Sequence, residues 1–207
     1  MGIDLSIIIV SWNVRDLLRE CLRSVLAPMA RSAEGNGYAL DRRAVEVLVV
    51  DNASADGSAD MVRSEFPGVL LVASDVNLGF AAGNNLGLRR ARGRYVLLLN
   101  PDTVVRAGAL AAMLGYLDAH PRVGLVGPLL RYGDGTVQPS RRRFPTFGHA
   151  LMESTILEQW FPRNRWAREY RLEDVPIDGP LQVDWVNGSC MMVRSEAIAQ
   201  VGLLDER

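Results

Sequence analysis

The sequence predicts an α/β fold with a mostly parallel, doubly wound central sheet flanked by helices, and three observations predict it. Short apolar runs alternate with amphipathic stretches four times in the first hundred residues. The runs are continuous rather than alternating apolar with polar, as strands buried on both faces are. Several end in polar turn residues, which places candidate ligands along one edge of the sheet, outside the carboxyl ends of its strands.

Taken in order, Leu5 to Val10 is a β-branched run and reads as a buried first strand, followed by a turn at Ser11-Trp12-Asn13. Leu17, Leu18, Cys21, Leu22, Val25 and Leu26 recur at helical spacing, in a helix that ends before Pro28. Residues 29 to 43 have no clear period and read as a surface loop. Val45 to Val50 is the second strand, ending in Asp51-Asn52. A helix capped near Ser54 or Asp56 then runs to about Phe66 and stops at Pro67-Gly68. Val69 to Ala73 is a third strand, a helix runs from about Gly79 to Ala91, and Tyr95 to Leu99 is a wholly apolar fourth strand. Pro101 stops it because proline cannot donate to the ladder. A helix from about Ala107 to Ala119 and a strand over Val123–Gly127 follow. From Pro128 to Pro180 the pattern loosens. It holds a turn at Gly133-Asp134-Gly135, a helix over Leu151–Phe161, and a polar loop over 162–182. Val183 to Val193 reads as one strand, followed by a short helix to Val201.

At 207 residues the chain is expected to form one domain, with a regular first half (1–103) and an irregular second half (104–207). The net charge of -1 exerts no global pull toward nucleic acid or anionic membrane. All 23 basic residues are arginine, a compositional bias rather than a chemical signal. Cys21 and Cys190 lack metal-like spacing and read as buried free thiols in a reducing compartment. No signal peptide and no apolar run of about 20 residues is seen, so a soluble, cytoplasmic protein is expected.

Asn100-Pro101-Asp102 sets an Asn and an Asp two residues apart at the sheet edge, where both can offer oxygens to one hard cation, Mg2+ or Mn2+. The alternative is that Asp102 caps the following helix or simply makes a turn with Pro101. Asp51 sits at the same edge and can accept from a nucleobase N–H or a ribose hydroxyl, or else caps its own next helix. Gly79, Gly83 and Gly87 recur every four residues, which lets something approach one helix face closely, whether a ligand phosphate or the sheet. This is not the G-x-G-x-x-G dinucleotide fingerprint. His120 and His149 have no acidic or nucleophilic partner nearby in sequence, and Ser189 is not in a G-x-S-x-G elbow. Arg141-Arg142-Arg143 reads as a solvated loop, with contact to an anionic acceptor as the alternative.

These segments together resemble the family 2 glycosyltransferases of the GT-A fold. The likeness is carried by Ser6-Ile-Ile-Ile-Val-Ser-Trp-Asn13, Val49-Val-Asp-Asn-Ala-Ser-Ala-Asp-Gly-Ser58 and Asn77-x-Gly-Phe-Ala-x-Gly-Asn-x-x-Gly87. Leu98-Leu-Asn-Pro-Asp102, Asp184-Trp-Val-Asn-Gly-Ser-Cys-Met-Met-Val-Arg194 and Val201-Gly-x-Leu-Asp-Glu-Arg207 extend it over nearly the whole chain, in order. The branch resembled is that of bacterial rhamnosyltransferase-like enzymes of cell-surface polysaccharide assembly.

The resemblance implies a Rossmann-like nucleotide-diphospho-sugar transferase domain. Asp51 would read the base and ribose of a dTDP-, UDP- or GDP-linked sugar, with Ser11 and Asn13 lining the pocket and Asn77, Gly79, Gly83 and Asn84 bordering it. Asn100 and Asp102 would stand where the family more often has Asp-x-Asp, Asp102 holding the divalent metal. Trp185 and Gly188 would shape the sugar and acceptor site. The acceptor would be a glycan or a lipid-linked glycan reached by peripheral contact with the inner membrane face, with no nucleic acid involved. The family inverts the anomeric centre, using a general base in a Glu-Asp pair that follows the Asp-Glu-Arg segment. That base is expected beyond Arg207, so residues 1–207 are expected to bind a donor with little or no transfer. Two rivals remain: a non-catalytic nucleotide-sugar-binding fragment and a sugar nucleotidyltransferase. The second should open with a Gly-rich basic loop, which Ser11-Trp12-Asn13-Val14-Arg15 is not.

Overall fold

A computed structural model describes residues 2–32, 37–147, 165–172 and 175–207. Its elements in order are β1 (Leu5–Ser11), α1 (Arg15–Leu26), β2 (Ala30–Arg31), β3 (Tyr38–Leu40), β4 (Arg43–Asn52), α2 (Ser58–Glu65), β5 (Leu70–Ser74) and α3 (Gly79–Leu88). They continue with β6 (Tyr95–Leu99), α4 (Ala109–Ala119), β7 (Leu125–Val126), β8 (Arg141–Arg142), α5 (Arg165–Tyr170), β9 (Trp185–Val186), β10 (Cys190–Arg194) and α6 (Ser195–Val201). The chain divides into two compact units, residues 1–128 with 188–207 and residues 129–187.

The first unit is built on a mixed sheet of order β2-β3-β4-β1-β6-β10-β7, with β5 also paired to β4. Its centre, β5-β4-β1-β6, is parallel, as the alternation predicts; β10 joins β6 antiparallel, as do β3 and β4. Ile8, Leu48, Val50, Val96 and Leu98 form a buried cluster covered by Leu86 and Leu88 of α3 and Ile198 of α6. Ile7, Ile9, Val47, Val49, Leu97 and Leu99 alternate with these and face the other side. Tyr95 lies on that side and donates to Asp118 of α4 (2.8 Å), which sets α4 there.

The second unit is held by its own side chains. β8 pairs antiparallel with β9, and Arg131 bridges Val137 across the turn expected at Gly133-Asp134-Gly135. The arginine run is a fastener here rather than a solvated loop. The Arg141 guanidinium donates to the carbonyls of Leu172, Val175 and Pro176 at 3.2–3.3 Å. Arg142 lies 5.4 Å from the Tyr170 ring and 5.9 Å from the Trp185 ring.

Three sequence expectations are corrected. Residues 29 to 43 hold a short antiparallel pair, β2 with β3, in which Tyr38 and Leu40 are buried at the edge of β4. Their short apolar content hides the strand, which exists because the long β4 leaves its first residues needing a partner. The polar loop over 162–182 contains the helix α5. The single strand over 183–193 breaks at Asn187-Gly188-Ser189 into β9 and β10, which belong to different sheets. The helix expected over Leu151–Phe161 and His149 lie outside the described residues.

Candidate functional site

β1 and β4 run parallel and in register, so Ser11 and Asp51 lie side by side at their carboxyl ends. By strand alternation both side chains face away from α3. Asp51 is buried, and its Oδ2 accepts from the Ser54 N–H (3.1 Å). Its Oδ1 is buried with no hydrogen-bond partner among the described residues, and so is the Ser11 hydroxyl. A buried polar atom without a partner costs about 1–3 kcal/mol, so two at adjacent positions make this end of the sheet the candidate site. Asp51 does not cap α2. The N-cap of α2 is Gly57, and Asp56 just before it accepts from the Ser58 N–H (3.0 Å) and the Ser58 hydroxyl (2.6 Å). Burial opposes ionisation of Asp56, but these bonds and one from the Arg15 N–H outweigh it and hold its pKa below the ordinary value.

Asn13 ties the β1–α1 turn to the β4–α2 turn. Its N–H donates to the Ser54 hydroxyl (3.0 Å) and its Oδ1 accepts from the Ala55 N–H (2.8 Å). Asn13 and Ala53 both adopt positive φ (53° and 64°), a conformation that costs a non-glycine residue and concentrates at functional turns.

On the other side of the sheet, Asn52 holds the β5–α3 turn. Asn77, exposed in that turn, accepts through Oδ1 from Asn52 Nδ2 (2.8 Å) and from the Gly79 N–H (2.9 Å). Gly79 opens α3 at φ 76°. Gly83 and Gly87 do not reach the edge as ligand contacts. A Cβ on Gly83 would meet Val10 Cγ1 at 2.9 Å, and one on Gly87 would meet Ile8 Cγ2 at 2.5 Å, so this stripe seats α3 on β1. Asn84 is buried and donates to the Phe80 carbonyl (2.9 Å) within α3.

β6 delivers Asn100 and Asp102. The Asn100 N–H donates to the Ser189 carbonyl (2.9 Å), holding the turn against the start of β10. Asp102 does not cap α4, whose N-cap is Gly108. Its carboxylate is exposed and makes no hydrogen bond or ion pair among the described residues. Cys21 lies close enough for its thiol to contact the Asn100 carbonyl (3.6 Å) and to feel the Asp102 charge. Burial, then that charge, pushes the Cys21 pKa up to about 12, and burial does the same to Cys190. Asn100 and Asp102 are the candidate hard oxygen donors at this edge for an ion such as Mg2+ or Mn2+. Among the described residues no three His, Cys, Asp or Glu side chains converge, so most ligands of such an ion would be phosphate and water oxygens.

Trp185 lies in the second unit, 40% exposed, with its Nε1–H donating to the Arg143 carbonyl (3.0 Å) and its ring 6.2 Å from Tyr170. Gly188 lies in the first, where a Cβ would stand 3.7 Å from the Phe80 ring. Sequence reasoning missed Asn52 and Asn85. Both are asparagines inside strong strand or helix patterns, and a buried polar residue there is the signal that could have found them. Asn85 exchanges bonds with the Leu204 main chain (2.8 and 2.9 Å) and donates to Glu206 Oε1 (2.7 Å).

A mycobacterial protein from Mycobacterium tuberculosis, N-acetylglucosaminyl-diphospho-decaprenol L-rhamnosyltransferase, is 35% identical over 80% of this chain. The chain spans 57% of that relative's length. The low-salt glycan biosynthesis hexosyltransferase Agl10 of Haloferax volcanii is 25% identical over 98% of the chain and 56% of its own length. A solved structure of the mannosyltransferase PcManGT from Pyrobaculum calidifontis, in complex with GDP-Man and Mn2+, aligns with TM-score 0.60 at 21% identity. That alignment covers all of this chain and 48% of the other, and it shows the fold, GT-A. The model of glycosyl transferase family 2 matches residues 6–200. The chain belongs to glycosyl transferase family 2.

Proposed function

We propose that this chain carries the donor site of an inverting glycosyltransferase of cell-surface glycan assembly, taking a nucleotide-diphosphate sugar. The observation that carries the reading is the pair of unpartnered buried atoms, Ser11 Oγ and Asp51 Oδ1, at neighbouring strand ends. The Ser54 N–H already takes one lone pair of Oδ2, so Oδ1 is the carboxylate oxygen wholly open to a base. A uracil or thymine imide presents one N–H between two carbonyls, which suits one free carboxylate oxygen beside a hydroxyl donor. Guanine presents two parallel N–H donors, one of which would have to share Oδ2 with the Ser54 N–H. The reading is therefore UDP or dTDP over GDP.

Asp102, with the Asn100 carboxamide oxygen, would hold a divalent cation on the diphosphate, and such a cation neutralises charge on a leaving phosphate. The attacking acceptor hydroxyl forms the new glycosidic bond as the anomeric C–O bond to the diphosphate breaks, and its proton passes to a general base. The mycobacterial relative is named for transfer of L-rhamnose to a diphospho-decaprenol-linked sugar. By that likeness rhamnose and a polyprenol-linked acceptor are the proposed sugar and acceptor class. A lipid-linked acceptor would bring the enzyme to the inner membrane face by peripheral contact; among the described residues no helix is long and apolar enough to cross a membrane.

Calorimetric titration with UDP, dTDP and GDP, with and without Mn2+, tests the reading on the wild type, Asp51→Ala and Asp102→Ala. The expected result is Mn2+-dependent binding of a pyrimidine nucleotide, tighter than GDP by about tenfold and lost in both variants. Equal binding of all three nucleotides would remove the base assignment. Binding indifferent to Asp51→Ala would remove the site.

A further inference from the structure

We infer that Asn52 is a positioning residue that orients the Asn77 carboxamide, so that Asn77 presents only N–H donors to a ligand at the sheet edge. The inference rests on the reading of this edge as a nucleotide-diphosphate site.

Asn52 is the last residue of β4 and is 2% exposed. Its Oδ1 accepts from the Leu78 N–H (2.8 Å). A main-chain N–H can only donate, so the oxygen end of this carboxamide is decided by the backbone and not by choice. The nitrogen end then donates to Asn77 Oδ1 (2.8 Å) and to the Gly79 carbonyl (3.3 Å). Asn77 Oδ1 takes a second bond from the Gly79 N–H (2.9 Å), again a main-chain donor. Two side-chain amides are thus locked in sequence by groups that cannot reverse. Both lone pairs of Asn77 Oδ1 are used. Its Nδ2 makes no hydrogen bond among the described residues, and the residue is exposed. Two free N–H donors suit diphosphate oxygens, which only accept.

The geometry gives Asn52→Asp a specific effect. One carboxylate oxygen still accepts from Leu78, while the other replaces Nδ2 and faces Asn77 Oδ1. Two acceptors repel, so the Asn77 amide turns about its Cβ–Cγ bond. It donates to the residue-52 carboxylate, gives up Gly79, and shows the ligand an oxygen.

A double-mutant cycle on dTDP binding, measured by calorimetry with Mn2+, separates this from a packing or charge effect. Asn52→Asp and Asn77→Ala should each weaken binding about tenfold. The double variant should be no weaker than Asn77→Ala alone. If Asn52→Asp weakens binding equally in the Asn77→Ala background, Asn52 acts directly and the inference is overturned. An unchanged Kd in Asn52→Asp overturns it too. Amide hydrogen exchange without ligand supplies the second arm: Gly79 should exchange faster in both single variants than in the wild type. Unaltered protection there would overturn the lock itself. A wild type that binds none of the three nucleoside diphosphates while Gly79 protection still depends on Asn52 would overturn the nucleotide reading, and the ligand role with it.

Discussion

Two buried carboxylates on β4 differ in how far their hydrogen bonding is satisfied among the described residues. Glu46, near the amino end, has every need met. Oε1 accepts from the Ser6 hydroxyl (2.6 Å) and the Arg92 N–H (2.8 Å), and Oε2 from the Arg92 guanidinium (2.7 and 3.0 Å). Asp51, five residues on, keeps one oxygen unpartnered. An unmet buried acceptor of that kind costs stability. Asp51→Asn removes the charge while its Oδ1 can still accept from the Ser54 N–H. Its melting temperature should therefore equal or exceed that of the wild type, with nucleotide affinity at least tenfold lower. Thermal denaturation beside titration checks both; a lower melting temperature with intact binding would assign Asp51 to structure.

At the scale of elements, α3 joins the core to the site. Its N-terminal turn borders the ligand edge through Asn77 and Gly79, while its glycine stripe lies on β1. Gly87→Ala would put a methyl 2.5 Å from Ile8 Cγ2, inside a buried cluster. Overpacking of this kind costs about 1–3 kcal/mol. The expected outcome is a lower urea midpoint at unchanged m-value, with nucleotide Kd moved less than threefold, because the strain falls away from the N-terminal turn. Gly79→Ala should do the reverse. It has open space around it but a φ of 76°, so strain falls on the turn that Asn77 orders. The same helix anchors the end of the chain, since Asn85 grips the Leu204 main chain and Glu206.

At the scale of the first unit, the two ends of the sheet have separate tasks. The amino end is closed by a charged network: Asp118 of α4 pairs with Arg43 at the start of β4 (2.7 Å) and with Arg94, and accepts from the Tyr95 hydroxyl. Arg194 of β10 completes it, donating to the Tyr95 hydroxyl (3.2 Å) and the Leu117 carbonyl (2.7 Å). Burial works against the Asp118 charge, but the hydrogen bonds from Tyr95 and Arg43 and the two guanidinium charges outweigh it and hold its pKa below 3.8. A carboxylate depressed on folding contributes stability that is present above its unfolded value and is lost as pH falls through the folded one. Asp118→Asn should therefore lower the melting temperature at pH 7, by an amount equivalent to about 1–2 kcal/mol. The two proteins should converge as pH drops below 3.8. A difference that persists unchanged to the lowest pH would show that the network's charge contributes nothing.

The sequence by itself determined the parallel strands at the centre of the sheet, the edge at which they end, and the identity of Asp51 and Asp102 as the acids delivered there. Those features are local: an apolar run makes a buried strand, and the residue after it is at the strand's end. Tertiary structure decided what each polar residue does once there. That Asp51 is not the cap of α2 follows from where the helix starts, at Gly57, and that Gly83 and Gly87 lie against a strand follows from how α3 sits over Val10 and Ile8. The β2–β3 pair and the break between β9 and β10 were likewise invisible, because pairing partners across a sheet leave no period in a short stretch of chain. Hydrogen-bond satisfaction is a property of neighbours far apart in sequence, and it separates the free oxygen of Asp51 from the fully engaged carboxylate of Glu46.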